Sequence, residues 1–287
     1  VSQTTWTTSE ANSQPPEDGN RETHDVIPLP IAPLSATAYR VIEAQHLRVT
    51  RRWVHDDSDQ ALLEELLETT KPAPPNFEDA EGKHVDLSGH HYLLCTPFRY
   101  RPPLRGGTRF GGVMDPPVWY AAEDVATALA ERSFHLLREY TRAPGVTAPS
   151  FNEWADFNIR VQTQRGIDLY DEAFEPHRTG LESKIDYQQP QSLARDCRAQ
   201  HVQAIRFRSA RDPEQADHNP ARGKNLAVLT PIAFASKDID LTTSRTWSVI
   251  ADRQGVRIAR KNTLSLEPAY RFNAAVFYVD GVVPDPV

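Results

Sequence analysis

The 287-residue sequence predicts a single α+β domain, and three observations carry that expectation. Stretches of period-2 and period-3.6 hydrophobicity follow one another without a regular βαβ rhythm, and no segment repeats. Hydrophobic residues make up 39% and aromatics 9%, enough to fill one sizeable core at this length. The apolar residues begin only after a polar start: residues 1–25 are rich in Ser, Thr, Gln, Asn, Pro and Glu and nearly devoid of aliphatics.

Each element follows in order. Residues 1–33 are expected to be a disordered or extended tail, with Pro28, Pro30 and Pro33 leading into a domain that runs from 34 to 287. Residues 38–44 (AYRVIEA) predict a strand with Tyr39 and Val41 on one face and Arg40 and Ile42 on the other. Residues 58–70 (SDQALLEELLETT) predict an amphipathic helix capped by Ser58 or Asp59, with Leu62, Leu63, Leu66 and Leu67 on one face. The Pro-rich segment 71–82 ends it. HYLLCTPF (91–98) predicts a buried strand, 101–112 a loop with two Gly pairs, and 116–122 a short strand started by Pro116 and Pro117. A helix is expected over about 124–140 with Asp124 as its N-cap. FNEWADFNIRVQ, within 150–180, fits helix or strand equally. Residues 192–200 predict a helix, 203–210 and 226–234 strands, 247–259 a hairpin around Gly255, and 272–279 a closing strand.

Several function classes are excluded or disfavoured. A net charge of −7 argues against a general nucleic-acid binder, so an anionic ligand needs a local Arg cluster. The longest apolar stretches, such as 274–279, are far too short to span a bilayer. The N-terminus lacks the basic and apolar regions of a secretory signal. Two cysteines, Cys95 and Cys197, suit neither a disulfide framework nor a metal site, and predict reduced thiols in a cytoplasmic protein. The ten histidines include no H-E-x-x-H or comparable spacing, so no metal is expected.

The stretch from Thr108 to Glu131 places an arginine, a tyrosine and a glutamate on consecutive loop, strand and helix. Arg109, between Gly106-Gly107 and Gly111-Gly112, can clamp a phosphate while the loop offers backbone N–H groups to the anion; a solvated surface turn is the plainer reading. Tyr120 shares a strand face with Val118, opposite Trp119 and Ala121, and either packs or lines a cleft. Glu131 is either an ordinary i,i+4 partner of His135 or a carboxylate that steadies a developing ribosyl cation. Ser209 lacks the context of a catalytic serine, so its hydroxyl reads as a phosphate or ribose contact, with Arg211 and Asn225 near the same strand ends.

These residues fall in segments that resemble the RES-domain family, the toxin half of RES–Xre toxin–antitoxin pairs. The resemblance begins at Tyr39-Arg40-Val41, is strongest at Arg109-Phe110, Pro117 to Glu123 and Thr127 to Glu131, and returns at Arg208 to Arg211 and Asn225-Leu226. It implies an ADP-ribosyltransferase-like fold of mixed sheets with flanking helices. The core would be 38–234, with a helical insertion at about 56–90 and a C-terminal extension, 235–287. It also implies a bacterial toxin that consumes NAD+, cleaving the nicotinamide–ribose bond with phosphate or water as acceptor. The alternatives are a mono-ADP-ribosyltransferase modifying a host-cell protein, and a catalytically inert interaction module. By the same resemblance Arg109, Tyr120 and Glu131 are the essential set, while Arg40, Tyr39, Ser209 and Asn225 bind substrate. NAD+ is then substrate rather than cofactor. The expected partner is an Xre-like antitoxin, in a possible oligomer, with no direct nucleic-acid contact. The gap between Arg40 and Arg109 is longer than in compact members, and Gly111-Gly112 stands where many relatives carry a polar residue.

Overall fold

The computed structural model describes residues 27, 29–44, 59, 62, 66, 70–72, 76–78, 81–85, 87, 89–100, 106–143, 145, 148–212, 223–261 and 269–286. Of the tail expected over 1–33, residues 1–26 and 28 lie outside the described residues. Ile27, Leu29 and Ile31 pack against the cluster of Phe110, Leu193 and Ile205, and Ala32 and Pro33 already belong to the first strand. Of the expected 58–70 helix only Asp59, Leu62, Leu66 and Thr70 are described; all four are helical, and Leu62 and Leu66 are exposed.

Five strands close on themselves. β1 (Ala32–Glu43) pairs with both β2 (Trp119–Ala122) and β3 (Ser150–Asp168); β2 pairs with β5 (Lys224–Val228), β5 with β4 (Ala204–Arg208), and β4 returns to β3. Among these pairings only β3–β4 is parallel. Each strand of the ring sends residues into one cluster: Leu34, Ala36 and Ala38, Trp119, Ile159 and Val161, Ala204, and Leu226 and Val228. Three further antiparallel strands, β6 (Arg245–Asp252), β7 (Gly255–Arg260) and β8 (Tyr270–Asn273), continue from the first half of β3. The hairpin expected at Gly255 is the β6–β7 pair. The undecided segment is β3 itself, 19 residues long. β1 starts six residues before the expected Ala38, and its faces divide as predicted. Ile42 packs toward the ring interior, and Tyr39 and Val41 toward the cluster beneath β6–β8.

The segment 91–98 is a helix, not a strand. α1 (Tyr92–Arg99) buries Leu94, Cys95 and Phe98, spaced i, i+1, i+4, which is one helical face; an apolar run this short fits either period. His91 caps it by accepting from Leu93 N at 3.3 Å. Pro97 has no N–H to return to Leu93, and the carbonyl it leaves open accepts from the Trp119 indole Nε1 at 3.3 Å instead. The helix thereby caps the ring interior with Phe98, whose full burial stabilises by roughly 1.5–3 kcal/mol. The closing strand is also shorter than expected: after Asn273 the chain turns into a 3-10 helix, Ala274–Phe277. The apolar run 226–234 likewise leaves β5 at Val228 for a 3-10 turn at Pro231.

α2 (Val125–Arg142) begins where predicted. The Asp124 carboxylate accepts from Ala126 N at 2.8 Å and Thr127 N at 3.4 Å. Its Leu129, Phe134 and Leu137 pack against Trp154, Trp247 and Phe272. α3 (Arg178–Leu181) is one turn, and α4 (Gln188–Ala199) covers the outer face of β4–β5 with Leu193, Ala194 and Cys197. No helix among the described residues is long and apolar enough to cross a membrane.

Candidate active site

A cavity of about 280 Å³ lies between α2 and the outer face of β1, β2, β4 and β5. Ala128, Glu131, Arg132, His135 and Arg138 line it from α2, at the i, i+3, i+4, i+7 and i+10 positions of one helical face. The loop before β2 and Tyr187 complete the wall.

Glu131 is fixed by residues far along the chain. Its Oε1 accepts from the Ser209 hydroxyl and from Asn225 Nδ2, both at 2.6 Å, and Oε2 accepts from none of the described residues. His135 is therefore not its partner. Ser209 is fully buried and also accepts from the backbone N–H groups of Arg211 (3.1 Å) and Asp212 (3.0 Å), so its hydroxyl organises the turn after β4 instead of facing a ligand. The same turn is tied to α2 by Thr127, whose hydroxyl donates to Asp212 Oδ2 at 2.7 Å and accepts from Gly223 N at 2.9 Å. Asn225 Oδ1 is buried and has no partner among the described residues.

The Gly-rich loop is tightly bound within itself. Thr108 N donates to Gly111 O at 2.7 Å, Gly111 N to Thr108 O at 3.2 Å, and Gly112 N to Asp115 at 2.8 Å. The N–H of Phe110 donates to the Tyr120 hydroxyl at 2.9 Å, and that hydroxyl donates to Thr108 Oγ1 at 2.9 Å. The expectation that this loop offers backbone donors to an anion fails for these four residues, because every one of those N–H groups is already used. Burial pushes the Tyr120 phenol up to about 12, against the pull of its two hydrogen bonds, so it stays protonated. Tyr120 is thus a brace for the loop as well as a wall of the cavity.

Arg109 is buried rather than solvated. Its Nη1 donates to Leu181 O and its Nη2 to Ser183 O, each at 2.7 Å, and its guanidinium carbon lies 4.8 Å from the centre of the Tyr187 ring. Burial lowers its pKa, an effect that Tyr187 and Glu131 oppose and Arg211 reinforces. Arg40 donates from Nη1 to Tyr120 O at 2.8 Å and stacks on Trp119 at 5.2 Å; burial and the charge of Arg132 bring it down to about 10. Tyr39 lines the cavity and lies under the Arg245 guanidinium at 5.8 Å.

All the predicted positions meet at this cavity: Arg109, Tyr120, Glu131, Arg40, Tyr39 and Asn225 line it, and Ser209 supports it from behind. The sequence reading passed over Arg132 and Arg138, the role of His135, and Tyr187. The signal for the first three was the helical spacing from Glu131, polar residues on a face of a helix otherwise buried. With five arginines and one carboxylate lining it, the cavity is a local cationic site in an acidic chain. Among the described residues no group of His, Cys, Asp or Glu is arranged to hold a metal.

A family model described as RES domain matches residues 84–252, more than half of the chain. The matched span holds Arg109, Tyr120, Glu131, Ser209 and Asn225 and begins after Tyr39 and Arg40. No curated protein matches. Among solved structures, a similar chain is found in the crystal structure of the M. tuberculosis MbcT–MbcA toxin–antitoxin complex. The identity is 15%, with 78% of this chain and 87% of that chain covered and a TM-score of 0.39.

Proposed function

Because the chain belongs to the RES-domain family, we propose that it is an NAD+-consuming toxin that cleaves the nicotinamide–ribose bond with phosphate or water as acceptor. The observation that carries this reading is the fixed carboxylate of Glu131 in a cavity that five guanidinium groups also line. A dinucleotide brings a pyrophosphate that suits the arginines and a glycosidic bond whose cleavage builds positive charge, which suits the glutamate.

In this proposal Glu131 stabilises the ribosyl cation as nicotinamide leaves, its free Oε2 facing the sugar. Arg109 and Arg40 supply positive charge for the pyrophosphate, and Arg109 also holds the Leu181–Ser183 turn. Tyr120 and Tyr39 bound the nicotinamide end, and Asn225 offers its unpaired Oδ1 to a donor on the substrate. The fold is read with it as ADP-ribosyltransferase-like, within a domain from about residue 34 onward. A small Xre-like antitoxin that blocks the cavity is the partner this reading implies.

The test is purified protein incubated with NAD+, with and without orthophosphate, and the products resolved by mass. Nicotinamide should appear with ADP-ribose 1″-phosphate when phosphate is present, or with ADP-ribose in its absence. Glu131→Gln should lower the rate by about 100-fold or more with the fold retained. A variant that consumes NAD+ like the wild type removes Glu131 from the mechanism. Label from NAD+ appearing on protein supports ADP-ribosyl transfer, and no nicotinamide with any acceptor supports an inert interaction module.

A further inference from the structure

We infer that the cavity has a second anion subsite, for a phosphate group, between Arg138 of α2 and Arg211 after β4. Both side chains line the cavity and both are more than nine-tenths buried, at 8% and 4% exposure. Their guanidinium carbons lie 5.8 and 3.7 Å from the centre of one ring, Phe134, so the two charges share a single wall. Arg138 Nε and Arg211 Nη1 are buried donors with no acceptor among the described residues. Neither guanidinium is ion-paired with a carboxylate of the described residues; Arg211 Nη2 reaches only Lys184 O at 2.7 Å and Tyr187 Oη at 3.5 Å. Asp285 and Glu139 favour the charge on Arg138 without bonding it directly, and Asp285 is itself paired with Arg142.

Two buried guanidinium groups on one wall, neither in a direct ion pair among the described residues, are costly, and an anion between them relieves their desolvation. Two forked donor sets also suit the several oxygens of a phosphate better than a single carboxylate. His135 stands on the same face of α2, between Glu131 and Arg138. Burial and the fields of Arg138, Arg132 and Arg211 bring its pKa down to about 3, so the imidazole is neutral and can hydrogen-bond a phosphate hydroxyl. Seven residues of helix place Arg138 about 10 Å beyond Glu131, which separates the anion from the carboxylate that would repel it.

The subsite deepens the proposed function and rests on that reading only for what the phosphate does there. A hydrogenphosphate held at this end is the acceptor: its oxygen bonds the anomeric carbon of the nicotinamide ribose as the carbon–nitrogen bond breaks. The electron pair leaves with neutral nicotinamide, and the phosphate keeps its proton. The same guanidinium pair can instead take a phosphate of the dinucleotide itself, and the test separates the two.

Orthophosphate titrated into the full chain without NAD+, followed by calorimetry, should bind saturably. Arg138→Gln should weaken it at least tenfold, and Arg138→Lys less. ADP-ribose is the second arm: if its affinity falls in Arg138→Gln and that of orthophosphate does not, the subsite holds the dinucleotide's own phosphate. Arg138 carries this test because its side chain makes no hydrogen bond among the described residues; Arg211→Gln, which loses the Lys184 contact, is read alongside its melting curve. Affinities for both probes unchanged in Arg138→Gln and in folded Arg211→Gln, or no saturable binding of either probe, overturn the inference. Since the orthophosphate arm contains no NAD+, binding there with no nicotinamide release in the earlier assay would leave the subsite standing and the proposed function not.

Discussion

The Ser209 hydroxyl donates to Glu131 Oε1 at 2.6 Å across 78 residues of sequence, and the same oxygen accepts two backbone N–H groups from its own turn. One small side chain therefore sets both the aim of the carboxylate and the path of the chain that carries Arg211.

Ser209→Ala should remove all three bonds at once, leaving the N–H groups of Arg211 and Asp212 unpaired in a buried place. The expected loss is about 1–3 kcal/mol in urea unfolding. If the proposed chemistry holds, nicotinamide release at saturating NAD+ should also slow, with kcat falling more than KM changes. A variant as stable and as active as the wild type would deny Ser209 this organising role.

Tyr120→Phe tests the brace between β2 and the Gly-rich loop. It deletes the acceptor of Phe110 N and the donor to Thr108 while keeping the ring. Stability should drop by about 1–3 kcal/mol. The substitution should also speed hydrogen exchange at Phe110; unchanged exchange there would show that the hydroxyl is dispensable.

Gly107→Ala should do more damage than its size suggests. Gly107 has φ of +75°, and a Cβ would stand 2.4 Å from Gly111 O, inside the turn that presents Arg109. We expect a loss of at least about 2 kcal/mol, since strain and displaced backbone both contribute. Gly145→Ala, where a Cβ meets nothing within 4 Å, is the matched control.

His135 predicts a pH dependence of stability. Its folded pKa, near 3, is below the unfolded value of 6.5, so between those two pH values the unfolded state binds the extra proton. Stability should therefore be fully present above about pH 6.5 and decline as pH falls toward 3, at no more than about 1.4 kcal/mol per unit from this group. His135→Gln should flatten that part of the denaturation midpoint against pH. A midpoint curve identical to the wild type would place the titration elsewhere.

Much of this was legible in the sequence. Asp124 with its helix, the alternation of Trp119 and Tyr120, the faces of β1 and the turn at Gly255 follow from local rules of capping, period and backbone freedom. The identity of 91–98 did not, because so short and largely apolar a run satisfies two periods, and the deciding contact, Trp119 with Leu93 O, lies 26 residues away. Position was readable for Arg109 and Ser209 but not bonding. Whether a guanidinium faces a ligand or two carbonyls at 181 and 183 depends on a loop whose path no local pattern fixes. Arg138 was missed because a helical arginine reads as solvated until Phe134 and the strands around it are in place.

The length of β3 has a consequence for how this protein comes apart. One strand of 19 residues is shared by the closed ring and by the β6–β8 extension, and it meets Arg40 at Phe157 and β4 at Gly166 to Asp168. Neither part can melt while the other keeps its hydrogen-bond ladder whole. The amides of its middle should exchange only through global opening, and heat should release the two clusters in one cooperative step.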